Sequence, residues 1–97
     1  MRQNMYIVDI IWLPEIIDKL ARKHNVLPEE VDEILFGQPL FRKVQKGHRP
    51  GEHLYAAYGQ TGSGRYLIIF FIYKTTNEAL ILSGREMDRK ERRQYGR

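Results

Sequence analysis

RYLIIFFIYK, residues 65–74, is the stretch on which the fold turns. From Tyr66 to Tyr73 every side chain is apolar or aromatic, so no polar side is marked at either the strand or the helix period. A run this short, rich in isoleucine and phenylalanine, reads as a strand covered on both faces at the middle of a sheet. Turn chemistry brackets it, with QTGSG (60–64) before and Thr75–Glu78 after. Working outward, Glu52–Tyr58 is strand-like and Ala79–Leu82 reads as a further strand. Leu40–Lys46 alternates loosely, and Gly47–Gly51 reads as the turn that joins it to the Glu52 segment. These segments predict an antiparallel β meander.

Two helices are expected ahead of the meander. Met5–Trp12 (MYIVDIIW) reads as a first strand, ending at Leu13-Pro14. Pro14 suits a first helical turn, and Ile16, Ile17, Leu20 and His24 then recur at helical spacing up to Asn25. Pro28, Glu29 and Glu30 open a second helix, with carboxylates at the positive end of its dipole. Val31, Ile34 and Leu35 form its apolar side, and Gly37 with Pro39 stops it. After the meander, Ser83-Gly84-Arg85-Glu86 has the spacing of a capping box, and so predicts that a last helix opens at Ser83. Glu86 with Lys90 and Asp88 with Arg92 would be i,i+4 pairs along it. The fold class expected is α+β: a small single domain over residues 1–97, with an antiparallel sheet of four or five strands, two N-terminal helices and a C-terminal helix.

Composition narrows the function classes. The chain has 97 residues, 42% of them hydrophobic and 29% charged, which suits one soluble domain. It has no cysteine, so disulfides and thiolate zinc sites are excluded. His24, His48 and His53 match no zinc spacing, and neither a metal nor a cofactor is expected. The longest apolar run, Tyr66–Tyr73, is far short of the roughly 20 residues of a membrane helix, and the N-terminus lacks a signal-peptide pattern. A cytoplasmic protein with no membrane partner is the expectation. Charge is uneven: residues 1–48 hold seven Lys/Arg and seven Asp/Glu, while residues 49–97 hold nine and five, so the whole +4 lies in the second half. A basic half points to a polyanion such as nucleic acid, and solubility alone is the plainer alternative.

QTGSGRY lacks the lysine and strand-to-helix context of a phosphate loop, and Ser83 reads as a cap before it reads as a nucleophile. What remains for chemistry is Arg85, Glu91 and Tyr95 on the last helix and Lys23-His24 at the end of the first. Arg65, Lys74, Arg89, Arg92 and Arg93 are candidates for holding a phosphate backbone. Metal-free RNA cleavage needs a base for the 2′-hydroxyl, an acid for the leaving 5′-oxygen and a cation on the phosphorane. Glu, His, Lys, Tyr and Arg can fill those roles. Each also has a plain reading: Glu91 as a surface ion-pair partner, Tyr95 as a ring packed on the sheet, His24 as a helix-end residue favoured by the dipole.

WLPEIIDKLARKHNVLPEEVDEILFGQPLF, then GEHLYAAYG, GRYLIIFFIY and ILSGREMDRKERRQY, together resemble the BrnT family of toxins from bacterial type II toxin–antitoxin systems. The likeness covers nearly the whole chain. It is carried by Lys23-His24-x-Val26 with Glu29-Glu30, by Gly64-Arg65-Tyr66-Leu67, and by Ser83-x-Arg85 with Glu91-Arg92-Arg93-x-Tyr95. The resemblance implies a RelE-like ribonuclease fold that cuts RNA and arrests translation. It also implies a cognate antitoxin with a DNA-binding domain, a toxin–antitoxin hetero-oligomer, and repression of the operon by that complex. The family's basic and acid–base positions fall on Lys23, His24, Arg65, Arg85, Glu91 and Tyr95. Two sheet positions where the family carries arginine are Leu54 and Leu80 here, and a non-cleaving RNA-binding or protein-interaction module is the alternative expectation.

Overall fold

Residues 5–45 and 50–96 are described in the computed structural model. Their order is β1 (Asp9–Ile11), α1 (Pro14–His24), α2 (Pro28–Leu35), β2 (Leu40–Gln45), β3 (His53–Gln60), β4 (Tyr66–Tyr73), β5 (Glu78–Glu86) and α3 (Arg89–Tyr95). The strands form one sheet in the order β1-β5-β4-β3-β2, so the all-apolar β4 lies in the middle. The sheet is mixed, where an antiparallel one was expected. β2 to β5 pair antiparallel, but β1 lies parallel to β5, with Ile10 opposite Ala79. Parallel pairing needs a long crossover, and α1, α2 and the β2–β4 meander together provide it. β1 is also shorter than the Met5–Trp12 run suggests. Lys46, Gly47, His48 and Arg49, which carried the end of one predicted strand and most of the following turn, lie outside the described residues.

Odd-numbered residues of β4 face the helices. Leu67, Ile69 and Phe71 are fully buried there with Leu20 of α1, Val31 and Ile34 of α2, Tyr55 and Ala57 of β3, and Ala79 and Ile81 of β5. Phe71 anchors this layer, stacked with Tyr55 at 6.0 Å and meeting Phe41 edge-on at 6.1 Å. Two strand glycines admit the helices. A Cβ on Gly59 would stand 2.9 Å from Cδ1 of Ile34, and one on Gly84 would stand 3.0 Å from Cδ1 of Ile69. α1 begins at Pro14 and ends where Asn25 takes a left-handed conformation (φ 54°). At α2 the N-cap is Leu27, which has no acceptor, so only the return half of a capping box forms: the Glu30 carboxylate accepts from the Leu27 N–H at 3.1 Å.

Even-numbered residues of β4 face the other way. Ile68 packs with Ala56, Tyr58 and Met87, flanked by Leu40, Tyr66, Phe70 and Tyr95, and α3 covers this smaller core. Its path differs from the sequence expectation. Ser83, Gly84, Arg85 and Glu86 belong to β5, and the capping box sits five residues later. Asp88 accepts from the Glu91 N–H, and Glu91 accepts from the Asp88 N–H, each at 2.8 Å. Strand pairing with Leu67 to Phe70 wins over the local capping signal, because it satisfies the backbone groups that the segment turns toward β4.

Leu82 then decides which side each of those residues faces. Phe71 pairs with Ile81 and Phe70 with Ser83, leaving Leu82 as one extra residue in β5. Such a bulge reverses the alternation beyond it. Gly84 and Glu86 therefore turn to the α1/α2 layer, and Arg85 turns to the α3 layer, opposite Ile68.

Candidate functional site

Arg85 is the centre of the α3 layer. Its Nη1 donates to Oε1 of Glu91 at 2.7 Å and its Nη2 to Oε2 at 2.8 Å, a two-bond fork between β5 and α3. The same Nη1 reaches the Glu86 carbonyl at 3.2 Å. The guanidinium carbon stands 5.6 Å from the Phe70 ring centre. The bonds from Arg85 hold the Glu91 carboxyl below the usual carboxylate range. Partial burial opposes this, and the Asp88 N–H reinforces it. Glu91 in turn raises Arg85 further above its already high value.

A half-open cavity of about 300 Å³ adjoins this pair, lined by Arg42 and Lys43 of β2, Tyr58 of β3, Ile68 and Phe70 of β4, and Glu91. Tyr58 is buried, and it is near enough to contribute to the field at Arg85. Arg42 donates to Oε1 of Gln94 at 2.9 Å, a second tie between the sheet and α3. Sequence reasoning missed both Arg42 and Tyr58. Their signal was the alternation of Ala56 and Tyr58 against Tyr55 and Ala57, but the Leu82 bulge hid which of those faces Arg85 would share.

The remaining basic residues of α3 take two roles. Arg92 lies over the Tyr66 ring at 4.0 Å, and Tyr66 meets Tyr95 edge-on at 6.1 Å, so Tyr95 is packed on the sheet. Arg89, Arg92 and Arg93 line a broad open groove of about 750 Å³ with Met87 and Gly96. Three arginines of one helix thus share this groove.

Other expected site residues lie elsewhere. Arg65 is on the α1/α2 side of the sheet end. Its Nη1 donates to Glu30 and to the Asn25 carbonyl, each at 2.8 Å, and its Nε and Nη2 meet Glu86 at 3.3 and 3.1 Å. Burial would lower its proton affinity, but the bonds to Glu30 and Glu86 outweigh that and raise it. Lys23 and His24 end α1, in the helical layer, immediately before Asn25, whose carbonyl accepts from Arg65. Lys74 sits past the other end of β4, about 30 Å from Arg65 along the strand, and pairs with Glu52 at 3.1 Å. Leu54, Ile72 and Leu80 form one cross-strand row on the α3 side, all half-buried. Among the described residues no group of three or more metal-ligating side chains gathers, and no helix is long and apolar enough to cross a membrane. No protein-family model matches the chain, and no curated protein sequence matches it either.

Proposed function

We propose that this protein is a BrnT-like toxin of RelE-like fold, a metal-independent endoribonuclease that acts in the cytoplasm and is neutralised by a cognate antitoxin carrying a DNA-binding domain. One observation carries the reading. A carboxylate (Glu91), a phenol (Tyr58) and a cation (Arg42) line one cavity on a basic face of the sheet, and the guanidinium of Arg85 forks onto that same carboxylate.

The chemistry follows from those groups. Arg85 is a cation that stabilises charge on the phosphorane as the 2′-oxygen attacks phosphorus. Glu91 accepts the 2′-hydroxyl proton, and a second group returns a proton to the departing 5′-oxygen, leaving a cyclic phosphate. Tyr58, on the wall of the same cavity as Glu91, is the candidate for that acid. Three bonds draw on Arg85, and its guanidinium carries five N–H donors, so phosphate can be met without dismantling the fork. The groove of Arg89, Arg92 and Arg93 carries the flanking phosphates.

Induction of the protein alone should arrest growth, and purified protein should fragment total RNA in the presence of EDTA. Arg85→Ala with Glu91→Ala should abolish both. Undiminished cleavage by that double variant would move the chemistry off this cavity.

A second reading, a non-cleaving RNA-binding or protein-interaction module, is favoured by two specific features. A base works best when its proton affinity is matched to the working pH, and Arg85 pulls Glu91 the wrong way. The Leu54-Ile72-Leu80 row also gives the sheet an apolar strip where phosphate contacts would otherwise lie. Salt-sensitive RNA binding with intact RNA would select this reading.

A further inference from the structure

A second cavity, of about 320 Å³, lies at the end of β3, and the first is the one that Glu91 and Tyr58 line. The two draw on the same two elements, though Tyr58 faces the α3 side and Gly59 faces Ile34 of α2. Tyr58 lines the first, and the next residues, Gly59 and Gln60, line the second. Glu91 lines the first and Tyr95 the second, four positions on and so about 6 Å along the helix axis.

The chemistry of the second cavity differs from the first. It has a carboxylate (Glu33), two carboxamides (Gln38 and Gln60) and a phenol ring (Tyr95). Glu33 is fixed in place, since its Oε2 accepts the Gly62 N–H at 3.0 Å, and an ionised carboxylate has about four acceptor positions to share. Gln60 is held likewise by its Nε2 bond to the Gly64 carbonyl at 3.3 Å. A carboxylate beside an amide donor matches one nucleobase edge. Guanine offers two adjacent donors, N1–H and the N2 amino group, next to the O6 acceptor. Adenine and cytosine place a ring-nitrogen lone pair toward the carboxylate, and uracil offers a single donor. The cavity is at the small end of the range for ligand sites, which suits one unpaired base.

We infer that this cavity is a guanine-reading subsite, with Glu33 accepting from the Watson–Crick edge, Gln38 or Gln60 donating to O6, and Tyr95 forming a wall beside the ring. The inference rests on the ribonuclease reading for its substrate class, single-stranded RNA, and sets the sequence preference of that site. Base-edge contacts specify while phosphate contacts position, so Glu33 and Gln60 govern choice of sequence and the arginines govern affinity.

The test uses the full chain and five-nucleotide uridine RNAs with one central guanosine, inosine or adenosine. A 2′-deoxy sugar at the central nucleotide blocks cleavage there, and fluorescence anisotropy reads the dissociation constant. Guanosine should bind at least 10-fold tighter than adenosine, with inosine, which lacks the N2 amino group, several-fold weaker than guanosine. Glu33→Gln and, separately, Gln60→Ala should bring the guanosine-to-adenosine ratio close to one and leave binding of the all-uridine RNA unchanged. Equal binding of guanosine and adenosine by the unaltered protein, or a ratio unmoved in both variants, would overturn the subsite. A guanosine preference without cleavage of the all-ribose RNA would sustain the subsite and defeat the ribonuclease reading instead. Absence of binding to every RNA would defeat both.

Discussion

Arg85 and Glu91 are six residues apart in sequence, lie in different elements, and meet through two parallel hydrogen bonds of 2.7 and 2.8 Å. The pair fixes α3 on the sheet. No residue of this seven-residue helix is buried, so apolar contact alone holds it weakly. Glu91 also closes the capping box with Asp88, so one side chain both starts the helix and docks it. Replacing Glu91 by alanine removes both functions. A charged hydrogen bond is worth roughly 1.5–3 kcal/mol, and solvent around the half-exposed Arg85 reduces this to about 1–2 kcal/mol. Glu91→Ala should lower the urea midpoint accordingly and lose cleavage, while RNA binding is kept or strengthened because Arg85 is released.

The same pair gives α3 a pH dependence. Glu91 has its proton affinity depressed in the folded state, chiefly by Arg85. Its contribution is therefore complete above the ordinary glutamate range near pH 4.3, and is lost as pH falls through the lower folded value. Titration below about pH 4.3 should release α3 before the main core unfolds, read as changes in the amide signals of Gln94, Tyr95 and Gly96. Glu91→Gln should abolish that early step. An identical acid profile in the variant would show that α3 is held by other contacts.

Arg65 is predicted to matter for stability more than for RNA. Its guanidinium ties α2, β5 and the Asn25 turn together through Glu30, Glu86 and a backbone carbonyl. Removing it leaves Glu30, whose side chain is only 16% exposed, without its cation. Arg65→Ala should cost about 2–3 kcal/mol, and the salt dependence of RNA binding should hardly change. Arg89→Ala and Arg93→Ala should do the reverse, each reducing the salt slope by about 1 with little effect on stability. A large change of slope on losing Arg65 would place it on the RNA path after all.

How much of this was legible in the chain depends on how local the cause is. The all-apolar run Tyr66–Tyr73 identified the central strand because burial on both faces leaves no polar period. Turns were legible where one residue carries a special conformation, as Asn25 and Gly64 do. Two features were not. The parallel pairing of β1 depends on where a crossover ends, which no short window reveals. The Leu82 bulge depends on long-range pairing with β4, and its effect is to turn Arg85 to the α3 side of the sheet, the side that carries Tyr58. The constellation around Arg85 was therefore half visible: Glu91 through its spacing on α3, its β2 and β3 partners only through register.

Phe71 tests the larger core. It is fully buried and touches rings from both β3 and β2, Tyr55 and Phe41. Phe71→Ala should destabilise the protein by about 3–5 kcal/mol, a large part of the stability of a domain this size. Phe70, one position along on the half-buried face, should cost clearly less when truncated. Equal losses at the two positions would contradict the assignment of the helical side as the main core.

An exchange of charges separates holding from chemistry. Arg85→Glu combined with Glu91→Arg keeps an ion pair between β5 and α3 but puts the cation on the helix. If the pair only docks α3, the double variant should recover most of the stability that either single change removes, and recover cleavage with it. The proposed site predicts a split. Stability should return in part, with coupling of about 1 kcal/mol between the positions, and Asp88 capping will limit it because an arginine cannot return the bond to the Asp88 N–H. Cleavage should stay lost, since phosphate bound over Phe70 would then face a carboxylate from β5 with no base above it. Thermal denaturation and RNA fragmentation measured on the same four proteins decide the matter, and recovery of cleavage together with stability would reduce Arg85 and Glu91 to a structural clasp.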